Sequence, residues 1–390
     1  MPIRRSLYLH IPFCSKRCNY CDFVTYSGMQ DWIPAYMEAL KQEVRVISDL
    51  DAGESEIHTI FLGGGTPSLL PADELQKLFT TISDALHVRA DAEISMEINP
   101  GTLTLEKMLA YQQAGVNRVS LGVQSFSDEE LRLLGRIHTA QVAREAVEIV
   151  RQAGIQNLNL DMIYGLPGQN LADWEYSLRA VQEIKPEHIS LYCLTIEEGT
   201  PLAEVVKRGD LTPIDDDLAA SMYELAIDEL SSMYEHYEIS NWARLDASPA
   251  RYRCIHNLQY WTNDEYFGLG AGAHGYYRGI RTINPDTIQS YIEWINSAPD
   301  HLENGSAVET AEKTRDEMML GLRLLLNGVR DQEFMNKFGL DFRQIFNAKI
   351  ARLIQLGLVT WSDADRSALI LTRRGMMLGN QVFMQFSGPD

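Results

Sequence analysis

Three of the five cysteines fall within eight residues, and their spacing is the strongest chemical feature of the sequence. Cys14, Cys18 and Cys21 form a C-x3-C-x2-C pattern, whereas Cys193 and Cys254 stand apart. Structural zinc sites usually combine C-x2-C units with a second cysteine or histidine pair, and the sequence offers no such partner. A cubane iron–sulfur cluster normally takes four thiolates. Three thiolates on one short loop would hold three irons and leave the fourth iron open to another ligand.

Composition and charge limit the class of protein. The 390 residues are 45% hydrophobic and 23% charged, which indicates a globular chain of two or three domains. The net charge of −20 disfavours general binding of nucleic acid. Apolar runs stay short of the ~20 residues that a membrane span needs, the N-terminus lacks a signal-peptide pattern, and an odd cysteine count disfavours a disulfide framework. We expect a soluble cytoplasmic protein with no nucleic-acid partner and no transmembrane segment.

Strand-like and helix-like segments alternate along the first half of the chain. Strands are predicted at Ser6–Ile11, Ile57–Leu62, Glu93–Ile98, Asn117–Val123, Asn157–Ile163 and His188–Leu194. Amphipathic helices are predicted between them, at Trp32–Ser48, Ala72–Leu86, Leu105–Ala114, Ala140–Ala153 and Trp174–Ile184. This order implies an α/β fold with a parallel sheet and right-handed crossovers. Periodicity does not distinguish a partial barrel from a doubly wound layer.

Beyond residue 210 the alternation stops. A helix at Met222–Met233 precedes a Gly- and Tyr-rich section from about 234 to 290. The C-terminal part is predicted to have a winged-helix order, with helices at Thr314–Leu326, Asp331–Phe338 and Phe342–Leu356, strands at Leu358–Trp361 and Ala368–Leu371, and a last helix from about 373 to 386. The predicted domains are therefore 1–210, 211–310 and 311–390. From residue 313 onward eleven Lys and Arg accompany eight Asp and Glu, too small an excess for a DNA-binding surface.

Polar and glycine residues cluster where the predicted strands end, and ligands of parallel sheets bind at that edge. Gly63-Gly64-Gly65-Thr66-Pro67 follows the second strand without the lysine of a phosphate loop. Glu97, Gln124 and Asp161 close the next three strands, and Arg136 lies shortly after the fourth. This set suits a zwitterionic nucleoside, with Arg136 for a carboxylate and Asp161 for ribose hydroxyls.

The segment Gly270–Gly275 fits a second glycine pattern, G-x-G-x-x-G. A dinucleotide site would need a strand before this pattern and a helix after it. The following residues, Tyr276-Tyr277-Arg278-Gly279, lack a helical period. We therefore reject a dinucleotide-binding site here.

The residues around the cysteines carry a family resemblance. Tyr8-Leu9-His10-Ile11-Pro12-Phe13 precedes the cysteine pattern and Asp22-Phe23 follows it. With them the chain resembles the radical S-adenosylmethionine (SAM) superfamily, in the branch that contains oxygen-independent coproporphyrinogen III oxidase and the HemW-type haem chaperones. The resemblance implies a partial (β/α)6 barrel, a [4Fe–4S] cluster on the three cysteines, SAM on the open iron and an electron donor. It implies that SAM is lined by Tyr8, Tyr20, Gly65, Thr66, Glu97, Gln124, Arg136 and Asp161.

Within that branch the sequence favours the haem chaperones. The oxidase has a long extension before its Tyr-x-His element and a further cysteine at the position of Phe23, whereas seven residues precede Tyr8 here. His256-Asn257-Leu258-Gln259-Tyr260-Trp261 matches the H-N-x-x-Y-W motif of the chaperones, and histidine is a natural axial ligand of haem iron. The resemblance implies a protein that binds haem through His256 and passes it to an acceptor protein. A radical SAM enzyme acting on a tetrapyrrole stays as the alternative, and no catalytic residue is assigned.

Overall fold

The computed structural model describes residues 2–245, 250–297, 300–302, 305–362 and 366–388. The chain divides into two compact units. The first comprises Met1–Glu229 and Glu265–Ser306, and the second comprises Leu230–Asp264 and Ala307–Asp390. The predicted section 211–310 thus contributes residues to both units. The domain limits 1–210, 211–310 and 311–390 stay predictions.

The first unit is built on a parallel sheet whose six strands follow the predicted order. They are β1 (Ile3–Ile11), β2 (Ser55–Gly64), β3 (Val88–Ile98), β4 (Arg118–Gln124), β5 (Asn157–Tyr164) and β6 (His188–Cys193). Each strand pairs in parallel with the next one along the chain. The sheet is open, because in the described part of the chain β1 and β6 do not pair with each other. The prediction of an α/β fold with a partial barrel is confirmed.

Helices connect these strands where the hydrophobic period predicted them. The five predicted helices lie at Ile33–Asp51, Ala72–Ala85, Leu105–Gln113, Ala140–Gln152 and Leu171–Ile184. The last of these helices begins at Leu171, three residues before the predicted position. Its start is set by a capping box between Asn170 and Asp173. Helices at Asp128–Leu133 and Pro201–Lys207, each too short to show a clear period, were not predicted. A longer helix, Asp216–Leu230, begins earlier than expected.

A seventh parallel strand, β7 (Tyr266–Leu269), pairs with β1 on the side opposite β2. The sequence does not predict this strand, because four residues are too few to show a period. An antiparallel hairpin of His274–Tyr277 and Ile280–Ile283 follows β7. The segment Gly270–Gly275 therefore leads from one strand into another strand, which agrees with the rejection of a dinucleotide site. The helix Ile288–Asn296 completes this part of the first unit.

The second unit contains the predicted winged-helix order. Its helices are Thr310–Gly321, Asp331–Phe338, Phe342–Ile345, Asn347–Gln355, Arg373–Met377 and Gly379–Phe383. Its three-stranded sheet places Ala368–Leu371 between Val329–Arg330 and Val359–Trp361, and the first of these edge strands was not predicted. The predicted helix Phe342–Leu356 is interrupted at Phe346. The unit also contains the strands Tyr234–Glu238 and Asn241–Arg244 and the helix Ile255–Trp261.

Aromatic side chains form the core of this C-terminal part. Phe334 is 1% exposed, and its ring centroid lies 4.7 Å from that of Phe338 and 5.4 Å from that of Phe342.

In the described part of the chain, no helix has the length and apolarity to cross a membrane.

Replacing Phe334 with alanine should loosen the second unit, because the truncation leaves a cavity that costs about 3–5 kcal/mol. We expect faster amide exchange in Val329–Arg330 and Ala368–Leu371, measured by hydrogen-exchange mass spectrometry. Met335→Ala is the matched control, since Met335 is 42% exposed on the same helix. Equal exchange in the two variants would contradict the assigned core.

Candidate functional site

A cavity of about 400 Å³ lies at the carboxyl ends of the parallel strands. Its wall contains these predicted residues: Cys14, Cys18, Tyr20, Cys21, Gly65, Thr66, Glu97, Gln124, Arg136 and Asp161. Tyr8 is not part of that wall. It lies on β1, where its hydroxyl is 3.0 Å from Nδ1 of His10. Segments that are far apart in sequence therefore meet in one place.

The three clustered cysteines are free thiols at this cavity, and each has a polar neighbour. Thr66 Oγ1 donates to the buried Sγ of Cys14 at 3.6 Å, and Arg136 Nη1 donates to Sγ of Cys18 at 3.3 Å. Sγ of Cys21 lies 3.8 Å from Oγ1 of Thr25. Burial raises the pKa of Cys14, although the hydrogen bond from Thr66 opposes this.

The donor set fits an iron–sulfur cluster better than a single metal ion. Nowhere among the described residues do three His, Cys, Asp or Glu side chains form a group that could hold one ion. A four-iron cluster does not require such a group, because each thiolate binds a different iron. Hydrogen bonds to the sulfurs, such as those from Thr66 and Arg136, are a recognised means of tuning such clusters.

His10 connects the loop that carries the cysteines, residues 12–25 (the cysteine loop), to the strands behind it. Its Nε2 lies 2.8 Å from the carbonyl oxygen of Val24, which can only accept, so Nε2 carries the proton. Nδ1 is then the acceptor for the hydroxyl of Tyr8. Burial lowers the pKa of His10 and keeps the ring neutral. The second half of the Tyr-x-His motif thus has a structural role.

The glycine loop after β2 lies directly against this histidine and the start of the cysteine loop. Gly64 has a φ of +107°, and a Cβ there would lie 2.4 Å from the His10 ring. A Cβ on Gly65 would lie 2.7 Å from the carbonyl oxygen of Phe13. Such close backbone approach requires glycine at both positions. Besides facing the cavity, these glycines therefore set the position of the loop itself.

Asp161 is held in place by a buried polar network that was not predicted from the sequence. Its oxygens accept from Ser120 Oγ and Asn159 Nδ2, both at 2.8 Å. Asn159 Oδ1 in turn lies 2.6 Å from Nδ1 of His188. Burial raises the pKa of Asp161, while the bonds from Ser120 and Asn159 lower it. Asn159 and Asp161 are two residues apart on one strand, so their side chains lie on the same face of the sheet. This spacing is the feature of the sequence that could have indicated the network.

Three further side chains give the cavity its polar character. Glu97 accepts from the backbone N–H of Gly64 at 3.0 Å, and burial together with the charge of Asp161 raises its pKa to about 8. Gln124 has a φ of +71°, an unusual value for a non-glycine residue that is common at ligand sites. Arg136 Nε is buried without a hydrogen-bond partner among the described residues. These features fit a ligand that carries both an anionic and a cationic group.

The predicted haem residue lies in the second unit, on the helix Ile255–Trp261. His256 is 1% exposed, and its Nε2 lies 2.9 Å from the hydroxyl of Tyr260 one turn later. The guanidinium of Arg323 stacks 4.9 Å from the ring centroid of Trp261. Cys254 is fully buried just before this helix. The motif is thus an ordered helical turn in which the imidazole already has a hydrogen-bond partner.

Comparison with known proteins identifies the family of the chain. Residues 8–181 match the radical SAM superfamily, and residues 308–378 match the HemN C-terminal domain. The heme chaperone HemW of Bacillus subtilis is 38% identical over 386 residues, which cover 98% of this chain and 99% of the relative. This chain belongs to the HemW family. HemW of Lactococcus lactis is 37% identical and covers 99% of this chain, with 98% of the relative covered.

The fold of this HemW family member has a solved counterpart. Coproporphyrinogen III oxidase (HemN) from Escherichia coli superposes with a TM-score of 0.84 at 24% identity, covering 99% of this chain and 91% of that chain. The likeness confirms the radical SAM fold with its C-terminal domain. The HemW relative from Escherichia coli is 36% identical over 389 residues, with 94% of this chain and 96% of the relative covered.

Glu97 should make stability depend on pH. The folded state raises its pKa from 4.5 to about 8, so the folded chain holds this proton more tightly than the unfolded chain. Wild-type stability should therefore fall relative to Glu97→Gln as pH rises between these values, by at most about 1.4 kcal/mol per pH unit. The difference in urea midpoint between the two proteins measures this. Glu106→Gln, at an exposed position, is the control; a constant midpoint difference for Glu97→Gln would contradict the shift.

Proposed function

We propose that this protein is a haem chaperone that carries a [4Fe–4S] cluster with SAM on its open iron and passes haem to an acceptor protein. The convergence of the cysteine loop, the glycine loop and the strand-end residues on one cavity is the observation that carries the proposal. Its HemW relatives, which are described as heme chaperones, support it. The free cysteines fit a reducing cytoplasm.

The residues assigned to the cluster and to SAM have separate tasks in this proposal. Cys14, Cys18 and Cys21 would hold three irons, and Arg136 would keep its hydrogen bond to the sulfur of Cys18. When bound and reduced by an electron donor, the cluster supplies one-electron chemistry toward SAM. Arg136 lines the cavity, and its guanidinium would bind the carboxylate of SAM.

The two carboxyl groups of the cavity would bind the other parts of SAM. Asp161 is oriented by Ser120 and Asn159 so that it can accept from ribose hydroxyls. Glu97, beside the glycine loop, suits the amino group, because a cation beside it offsets the burial that raises its pKa. Tyr20, Gly65, Thr66 and Gln124 would complete the contact surface.

Haem would be bound through the H-N-x-x-Y-W helix, with His256 as the iron ligand. Nε2 of His256 is in contact with the Tyr260 hydroxyl, so ligation through this atom requires that contact to open. Tyr260 and Trp261 offer apolar ring faces suited to a porphyrin. In this proposal the helix changes locally when haem binds.

Replacing Cys18 with serine should abolish the cluster, because serine removes one of three thiolate ligands. The measurement is the visible absorbance and the iron content after anaerobic reconstitution. Cys193→Ser is the matched control, since Cys193 lies at the same cavity but outside the three-cysteine pattern. Loss of the cluster in the control, or an unchanged cluster in Cys18→Ser, would contradict the assignment.

Replacing His256 with alanine should weaken haem binding by removing the iron ligand. An anaerobic haem titration followed by the Soret band measures the affinity. In Tyr260→Phe the hydroxyl that contacts Nε2 is gone, so haem should bind at least as tightly as in the wild type. Unchanged binding in His256→Ala would discard this ligand. Absent binding, together with a SAM-dependent change in the mass of an added porphyrin, would instead favour a radical SAM enzyme acting on a tetrapyrrole.

A further inference from the structure

The glycine pattern that is not a nucleotide site adjoins a buried carboxylate in the first unit. Glu43 is fully buried on the helix Ile33–Asp51. Its Oε2 accepts from the backbone N–H of Gly270 at 2.8 Å and from the hydroxyl of Tyr291 at 2.6 Å. Its Oε1 accepts from Nδ2 of Asn284 at 2.7 Å and lies 2.7 Å from Nε2 of His301. A buried carboxylate with four partners fixes the backbone that it touches.

Glu43 bonds to the first residue of the segment 270–273, which we name the support loop. This loop packs against the end of β1. The hydroxyl of Tyr36 donates to the carbonyl oxygen of His10 at 2.7 Å and accepts from the N–H of Ala271 at 2.9 Å. Gly270 has a φ of +100°, and a Cβ there would lie 2.6 Å from the same oxygen of His10. The first glycine of the pattern is therefore required by close packing on β1.

The next glycine of the support loop contacts the cysteine loop itself. Gly272 has a φ of +69°, and a Cβ there would lie 2.9 Å from Cγ2 and 3.1 Å from Cβ of Val24. Valine is branched at Cβ and has no flexible end that could move aside. The carbonyl oxygen of Val24 is the atom that accepts from His10. Val24 is thus held by its side chain and its backbone, three residues after Cys21.

We propose that the support loop, fixed by Glu43, holds the cysteine loop in the conformation that binds the cluster. The inference rests on the proposed function in that it takes the cysteines to be cluster ligands. Glu43 and Gly272 are then positioning residues, which act on the cysteines through Val24 and His10. The first two glycines of the G-x-G-x-x-G pattern thus serve close packing, Gly270 on the end of β1 and Gly272 on the cysteine loop.

Gly272→Ala tests the contact with Val24 in the full-length chain without a cluster. The readout is the rate at which iodoacetamide alkylates Cys14 and Cys21, followed by mass spectrometry. We expect alkylation of both to be several-fold faster than in the wild type, because the added methyl displaces Val24. Gly154→Ala is the matched control: its φ of +86° imposes similar backbone strain, and a Cβ there meets nothing within 4 Å. Equal rates in the two variants would overturn the proposal.

A size exchange separates a positioning role from general destabilisation. In Gly272→Ala combined with Val24→Ala, the methyl added at 272 occupies space vacated by the valine, so alkylation should return toward the wild-type rate. A double variant as fast as Gly272→Ala would contradict the proposal.

If Gly272→Ala gives no folded protein, Val24→Ala is the alternative variant. It alters the same contact from the side of the cysteine loop, where Val24 is only partly buried. It should then speed alkylation, and a native rate would overturn the inference.

Iron content after reconstitution is the second readout, and it separates this proposal from the proposed function. Gly272→Ala should retain less iron than Gly154→Ala. If the wild type itself takes up no cluster, the proposed function fails. The alkylation comparison still decides whether the support loop holds the cysteine loop.

Discussion

The shape of the cavity depends on the close approach of three loops to one neutral histidine. His10 bonds to the carbonyl of Val24 on the cysteine loop, Gly64 of the glycine loop packs on its ring, and Gly270 packs on its carbonyl oxygen. At Gly64 and at Gly270 the approach leaves no room for a Cβ. Because the ring is buried and its pKa is lowered, the hydrogen bonds keep one direction, from Tyr8 to Nδ1 and from Nε2 to Val24.

The polar groups of the cavity are arranged for a charged ligand. Glu97 and Asp161 face the same space, and burial raises the pKa of both carboxyl groups. The network of Ser120, Asn159 and His188 leaves Asp161 fixed rather than free to rotate. A preorganised site of this kind spends little conformational entropy when its ligand binds. The folded protein is less stable for it, because burying two carboxyl groups away from bulk water is unfavourable.

The haem motif differs from the cavity in how accessible its proposed ligand atom is. In the second unit its histidine is buried and in contact with a tyrosine of the same helical turn. A helix places residues four apart on one face, so the spacing of His256 and Tyr260 accounts for that contact. The proposed ligand atom is therefore covered in this conformation, whereas the cysteines of the first unit already line an accessible cavity.

Local patterns in the sequence predicted the six strands, the main connecting helices and the winged-helix order, because buried strands and amphipathic helices show their periods within ten to twenty residues. The family motifs indicated which residues face the cavity, and all but Tyr8 of those assigned to the cluster or SAM line it among the described residues. The sequence did not reveal the strand β7, which has four residues, or the support of Asp161 by His188. Nor did it reveal Glu43, whose bond to Gly270 joins residues 227 apart. Contacts across such separations follow no period, since they exist only after the sheet has brought distant segments together; the tertiary structure alone decided them.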